Sequence, residues 1–305
     1  LGQSTQAMES FKKALGIVKL EAPGSPSMAK IYNNIGMLLN WREAHQEALK
    51  YFYQALDIHE KLHVEDSDLA TLYSNLGLTH YELEELDKAA KYYRKALVID
   101  ERLNAESLII ASTYNNLGCL QEKIEDFEGA MDLFMKSKTI KETLAPNSLS
   151  LAVTYSNLGA VFDSRADLER SITYYRKAVK IFTDIAPHST DLAKVFCNLA
   201  IVLRSSGQSN DALEYLNEAV KVHANDKYGK KLMAQTYRTM SEIAEEQGNT
   251  ALATDYREKA VNASERDSRF GLTPFVFSQR NSVTGQTIGF FTSPSKRTSF
   301  QSTGQ

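Results

Sequence analysis

One phrase of five residues recurs along this chain at a constant interval. Tyr32-Asn33-Asn34-Ile35-Gly36 returns as Tyr73-Ser74-Asn75-Leu76-Gly77, Tyr114-Asn115-Asn116-Leu117-Gly118 and Tyr155-Ser156-Asn157-Leu158-Gly159. It continues, eroding, as Phe196-Cys197-Asn198-Leu199-Ala200 and Tyr237-Arg238-Thr239-Met240-Ser241, each copy 41 residues after the last. A period of that length marks a stacked array of supersecondary units. With 305 residues, more than one closed core usually holds, the repeat favours an extended array.

A second block follows sixteen residues behind the first. Its anchors Ala48, Phe52 and Ala55 recur as Ala89, Tyr93 and Ala96, then Ala130, Phe134 and Ser137, then Ser171, Tyr175 and Ala178, then Ala212, Leu216 and Ala219. An earlier copy, Ala7, Phe11 and Ala14, has no first block ahead of it. The sequence therefore opens inside the second helix of a hairpin and is expected to continue upstream.

In both blocks the apolar positions fall at i, i+3 and i+4, the period of a helix with one buried face. Small residues at Gly36, Gly77, Ala48 and Ala89 let two antiparallel helices approach closely. Ser25, Asp66, Ser107, Ser148 and Ser189 form a column of N-cap residues. Pro26 takes the first helical position, where its missing N–H costs nothing. Pro23, Pro146 and Pro187 stop the preceding helices, and Gly207 and Gly248 mark turns within the later hairpins. The expected fold is all-α: an α-solenoid of antiparallel helical hairpins over residues 1–266, half a repeat plus six hairpins. A single hairpin cannot bury its apolar face alone, so neighbours supply the core.

The order aromatic-x-x-Leu-Gly, then Ala-x-x-x-aromatic-x-x-Ala, resembles the tetratricopeptide repeat. The family's usual unit is 34 residues with a proline closing the second helix; here it is 41, and Glu60, Glu101 and Glu142 stand in the proline's place. The longer helices are most similar to the repeats of kinesin light chains and related cargo adaptors. The resemblance implies a right-handed superhelix whose first helices line a concave groove. It implies a protein or peptide partner, a cytoplasmic setting with a cytoskeletal or ciliary association, no cofactor and no catalytic activity.

Asn34, Asn75, Asn116, Asn157 and Asn198 occupy one column of five successive first helices. By the resemblance they face the groove, where an amide, donor and acceptor at once, suits capture of a peptide backbone. The other reading is that each amide braces its neighbouring hairpin. Five buried amides would need five satisfied networks, so the groove role is the expectation. Lys194, Arg204 and Arg238 are expected beside them as basic groove residues, with Lys30 earlier in the array; Glu82, Glu122, Asp163 and Glu245 are acidic counterparts. A chaperone-tail receptor would need a lysine where Asn33, Ser74 and Asn115 stand.

His59-Glu60-Lys61-Leu62-His63 matches H-E-x-x-H, the pattern of a zinc hydrolase. The same columns read Asp100-Glu101-Arg102-Leu103-Asn104 and Lys141-Glu142-Thr143-Leu144-Ala145, so only the histidines are additions, and they read as two solvated residues at a helix end. The alternative to a groove-binding scaffold is a structural component of a cytoskeletal, ciliary or motor-associated assembly packed by its outer face; a metal-dependent hydrolase at His59 and His63 is the remote alternative. Cys119 and Cys197 are too few for a disulfide framework and read as apolar filler. Asn262-Ala263-Ser264 forms a glycosylation sequon.

A formal net charge of −3 offers no general attraction to nucleic acid or anionic membrane, no small-molecule substrate is implied, and no apolar run reaches membrane-spanning length. Residues 267–305 change composition. From Ser268 on there are seven serines, six threonines and six phenylalanines, no acidic residue and a charge of +4, leaving −7 for the repeats. This reads as a disordered basic tail. Phe270 to Phe277 are expected to cap the last hairpin, and Ser293 and Ser299 are candidate phosphosites.

Overall fold

The computed structural model describes residues 2–103, 107–224 and 229–265. Among them are thirteen α-helices. Helix α1 (Gly2–Glu21) packs on the helix that follows it. Six hairpins follow: α2 (Pro26–Trp41) with α3 (His45–Leu62), α4 (Ser67–Glu82) with α5 (Leu86–Leu103), and α6 (Leu108–Lys123) with α7 (Phe127–Leu144); then α8 (Leu149–Ser164) with α9 (Leu168–Ile185), α10 (Thr190–Ser205) with α11 (Ser209–Ala224), and α12 (Gly229–Glu246) with α13 (Thr250–Glu265). The chain forms two compact units divided within α8, one running to Thr154 and the other beginning at Tyr155. In the first unit each helix packs on the next, and α2, α4 and α6 also touch in sequence; in the second, α9 packs on α10, α10 on α11 and α11 on α12. The tail, with Phe270 to Phe277, Ser293 and Ser299, and the proposed boundary at 266/267 lie outside the described residues.

The N-cap column performs as its chemistry dictates. The side chains of Ser25, Asp66, Ser107, Ser148 and Ser189 accept from the backbone N–H of Met28, Leu69, Ile110, Leu151 and Leu192. A second capping column lies at the start of the second helices, where Asp126, Asp167 and Asn249 accept from the N–H of Gly129, Arg170 and Leu252. Each such cap contributes about 1 kcal/mol.

The seam of each hairpin is a glycine under an aromatic ring. A methyl group on Gly36, Gly77 or Gly118 would sit 2.6 Å from the ring of Phe52, Tyr93 or Phe134, and one on Gly159 would sit 2.9 Å from that of Tyr175. The four rings are at most 2% exposed. The leading tyrosine of the phrase is held differently: Lys95, Lys136 and Lys177 place their ammonium groups 4.9, 5.5 and 5.3 Å from the ring centroids of Tyr73, Tyr114 and Tyr155.

The turn inside each hairpin uses a left-handed residue at the same 41-residue spacing. Gly207 and Gly248 adopt it freely, but Glu43, Glu84, Glu125 and Ala166 adopt it too, with φ between 59° and 64°. A side chain costs roughly 1–2 kcal/mol there, part of which glycine returns through its freer unfolded chain. Ala166→Gly, at an exposed position, is expected to stabilise the protein by about 0.5–1 kcal/mol, read as a higher urea midpoint.

Candidate interaction face

The asparagine column divides between the two units. In the first, Asn34 is exposed and Asn75 and Asn116 are half-buried. In the second, Asn157 is 1% and Asn198 7% exposed. Asn75 Nδ2 donates to Asn33 Oδ1 of the preceding hairpin at 2.9 Å, so this amide braces its neighbour while keeping its oxygen uncommitted by that bond. The bracing partner comes from the adjacent column, which sequence reasoning used only as the place of a missing lysine.

The basic residues separate too. Arg204 forks onto Glu242 and Glu246, with its Nη1 2.7 Å from Glu242 and its Nε 2.9 Å from Glu246. Hydrogen bonds to Glu246 hold its guanidinium even more firmly protonated, and the same bonds hold the Glu246 carboxyl below the usual range. Lys194 lies 3.3 Å from Asp191, whose carboxyl burial pushes up. Arg238 is exposed.

The two histidines of the H-E-x-x-H match have different fates, which corrects their reading as a solvated pair. His63 is exposed and closes α3 in a left-handed conformation with φ of 52°. His59 is 6% exposed, because its position faces the next hairpin. Among the described residues no three His, Cys, Asp or Glu side chains converge as a metal site. Burial pushes the Cys197 thiol up to about 11, away from the thiolate that reactive cysteines need, and Cys119 is buried.

His59 belongs to a column the sequence hid. At 41-residue spacing its counterparts are Asp100, Lys141, Phe182 and His223, all at most 4% exposed. Asp100 accepts from Thr113 Oγ1 at 3.0 Å, and Lys141 Nζ donates to Thr154 Oγ1 at 2.8 Å and to the Ser150 carbonyl at 3.3 Å. Thr154 in turn donates to Asn115 Oδ1 at 3.2 Å. Burial pushes the Asp100 carboxyl up and the Lys141 amine down to about 7. Glu122, near the end of α6, is 7% exposed; its Oε2 meets no hydrogen-bond partner, and burial raises its carboxyl to about 8.

Among the described residues no helix is long and apolar enough to cross a membrane. No curated protein matches the chain by sequence. The fold matches BtubC (BKLC) from P. vanneervenii at 23% identity and a TM-score of 0.60, over 73% of this chain and 89% of that one. It matches the APC/C hetero-tetramer Cut9-Hcn1 at 14% identity and 0.64, over 86% of this chain and 44% of the other. A putative kinesin light chain from Podosopora anserina, with nearly identical TPR-like repeats, matches at 14% identity and 0.59, over 68% of this chain and all of that one. The family model for the tetratricopeptide repeat matches residues 27–102, 68–143, 150–225 and 191–266. Those matches span most of the chain, and it belongs to the tetratricopeptide repeat family.

Proposed function

We propose that this protein is a cytoplasmic scaffold that captures an extended segment of a partner protein along the first helices of its first unit. The observation that carries this reading is the accessibility of the amides of Asn34, Asn75 and Asn116 on three consecutive first helices, while the same column is buried at Asn157 and Asn198. Amides at a regular interval offer paired donors and acceptors to a main chain whatever its side chains. The capture surface is thus narrower than the five-residue ladder the sequence suggests. Neither an enzymatic role nor nucleic-acid binding is part of this reading: the repeats carry −7, which opposes a polyanion.

A specific observation supports a second reading, a component packed by its edge into a larger assembly. Leu62, Leu103 and Leu144 close successive second helices and are 41%, 50% and 48% exposed, and Ile185 of the second unit, at the same position, is 46% exposed. One exposed aliphatic side chain per hairpin is a regular feature of a surface where scattered apolar residues are ordinary. Affinity purification of the full chain separates the two. Asn34→Ala with Asn116→Ala should deplete the partner at least tenfold while Leu103→Ser with Leu144→Ser leaves it bound. The opposite pattern would establish edge packing.

A further inference from the structure

In the column of buried polar residues, His59 is the member that faces no hydroxyl on the next first helix. Asp100 and Lys141 each find a threonine hydroxyl, Thr113 and Thr154, on the next first helix. At His59 the corresponding residue is Leu72. Neither ring nitrogen of His59 has a hydrogen-bond partner among the described residues, and the residue, 6% exposed, keeps only a narrow opening to solvent. The same place is hollow: a cavity of ≈ 260 Å³ opens between α2 and α4, with His59 among its lining residues. That is smaller than the roughly 300 Å³ at which drug-sized pockets begin and suits one long side chain.

The walls define what enters. Ala29, Met37 and Leu72 are apolar and ask for an aliphatic stem. Lys30 and Asp68, 2.9 Å apart and both accessible, stand beside them. One hydrogen on each of two polar groups there is already committed: Thr71 donates to the Ser67 carbonyl at 2.8 Å and Asn33 Nδ2 points at Met37 Sδ, 3.7 Å away. Thr71 Oγ1 keeps lone pairs, and Asn33 Oδ1, which already accepts from Asn75 Nδ2 at 2.9 Å, keeps one; they stand beside the Asp68 carboxylate and the His59 imidazole. Lys30 can only donate and the Asp68 carboxylate can only accept, while the Asn34 amide offers both. The guanidinium, with five N–H groups in a plane on a three-carbon stem, matches such a set. Opening the exposed Lys30–Asp68 pair costs little, and repeats carrying −7 favour a cationic guest.

We infer that His59, Asp68 and Asn33 form a subsite for an arginine side chain of the bound segment. This rests on the reading that the first helices of the first unit take an extended peptide, since Asn34 also lines the cavity. The probe is Nα-acetylarginine methylamide, titrated into the full chain labelled at histidine and followed by NMR, with its citrulline and glutamate counterparts as controls. The arginine probe should shift the His59 ring resonances in a saturable way, and the citrulline and glutamate probes should bind at least fivefold more weakly. Asp68→Asn, at an accessible position, should weaken the arginine probe about fivefold without altering the melting temperature. His59→Leu should abolish binding and should still unfold cooperatively, since it places an aliphatic side chain beside Leu72. Absence of any His59 shift, equal binding of citrulline, preference for glutamate, or unchanged binding in His59→Leu would each overturn the assignment. Because the probe has no partner backbone to capture, its failure leaves the asparagine experiment free to succeed, and the two readings fail separately.

Discussion

Gly77→Ala is expected to destabilise the protein by about 1–3 kcal/mol, the usual cost of forcing a methyl group into a filled core, and Tyr93→Leu should suppress much of that cost. The new Cβ would lie 2.6 Å from Tyr93 Cδ1, and the ring, 1% exposed, has nowhere to turn. The chain carries its own precedent for the rescue. Four hairpins pair glycine with an aromatic residue: Gly36 with Phe52, Gly77 with Tyr93, Gly118 with Phe134 and Gly159 with Tyr175. In the fifth hairpin the same positions hold Ala200 and Leu216, and in the sixth Ser241 and Arg257. Wherever the small residue grows, the aromatic one is gone. Tyr93→Leu alone loses ring burial and costs a similar amount, so the informative quantity is the coupling in a double-mutant cycle. It should favour the double variant by at least about 1 kcal/mol in urea unfolding of the full chain; simple additivity would show that the seam relaxes without the ring.

The same comparison shows what the repeat made legible and what it did not. Helix identity, hairpin pairing, the five first-helix caps and the close approach at Gly36 and Gly77 all depend on local spacing, and spacing is what a periodic sequence displays. The turn residues were half legible: Gly207 and Gly248 announce a positive φ, but Glu43, Glu84, Glu125 and Ala166 take it by force of the two helices they join. Least legible was the inter-hairpin interface. Asp100, Lys141 and His59 look like solvated charges near helix ends, and only the packing of the next first helix buries them. Histidine, aspartate and lysine share no chemistry that a pattern search would unite, yet they share a column at 41-residue spacing. The candidate site was legible as a column, but spacing does not display which members are covered: Asn157 and Asn198 are buried and Arg204 pairs with Glu242 and Glu246.

Two buried ionisable groups, Glu122 and Lys141, set an unusual dependence of stability on pH. Glu122 has its carboxyl raised from 4.5 to about 8. Between those values the native state holds a proton that the unfolded chain has released, so stability is full below about pH 4.5 and falls as pH rises towards 8. Lys141 has its amine lowered from 10.5 to about 7. Between 7 and 10.5 the unfolded chain binds the proton and the native state does not, so stability rises over that window. At about 1.36 kcal/mol for each pKa unit, each arm amounts to roughly 4–5 kcal/mol as an upper bound. Where many proteins are most stable near neutrality, these two groups acting together carve a minimum near pH 7–8. Glu122→Gln should flatten the acidic arm and leave the alkaline rise. Lys141→Met should flatten the alkaline arm and stabilise the protein at pH 7, since Thr154 keeps Asn115 and the Ser150 carbonyl as partners. Urea midpoints from pH 5 to 10 on the full chain measure both arms. A wild-type profile that peaks at neutrality, or variants that shift the curve without changing its slopes, would mean that water reaches both groups and that neither charge is paid for by folding.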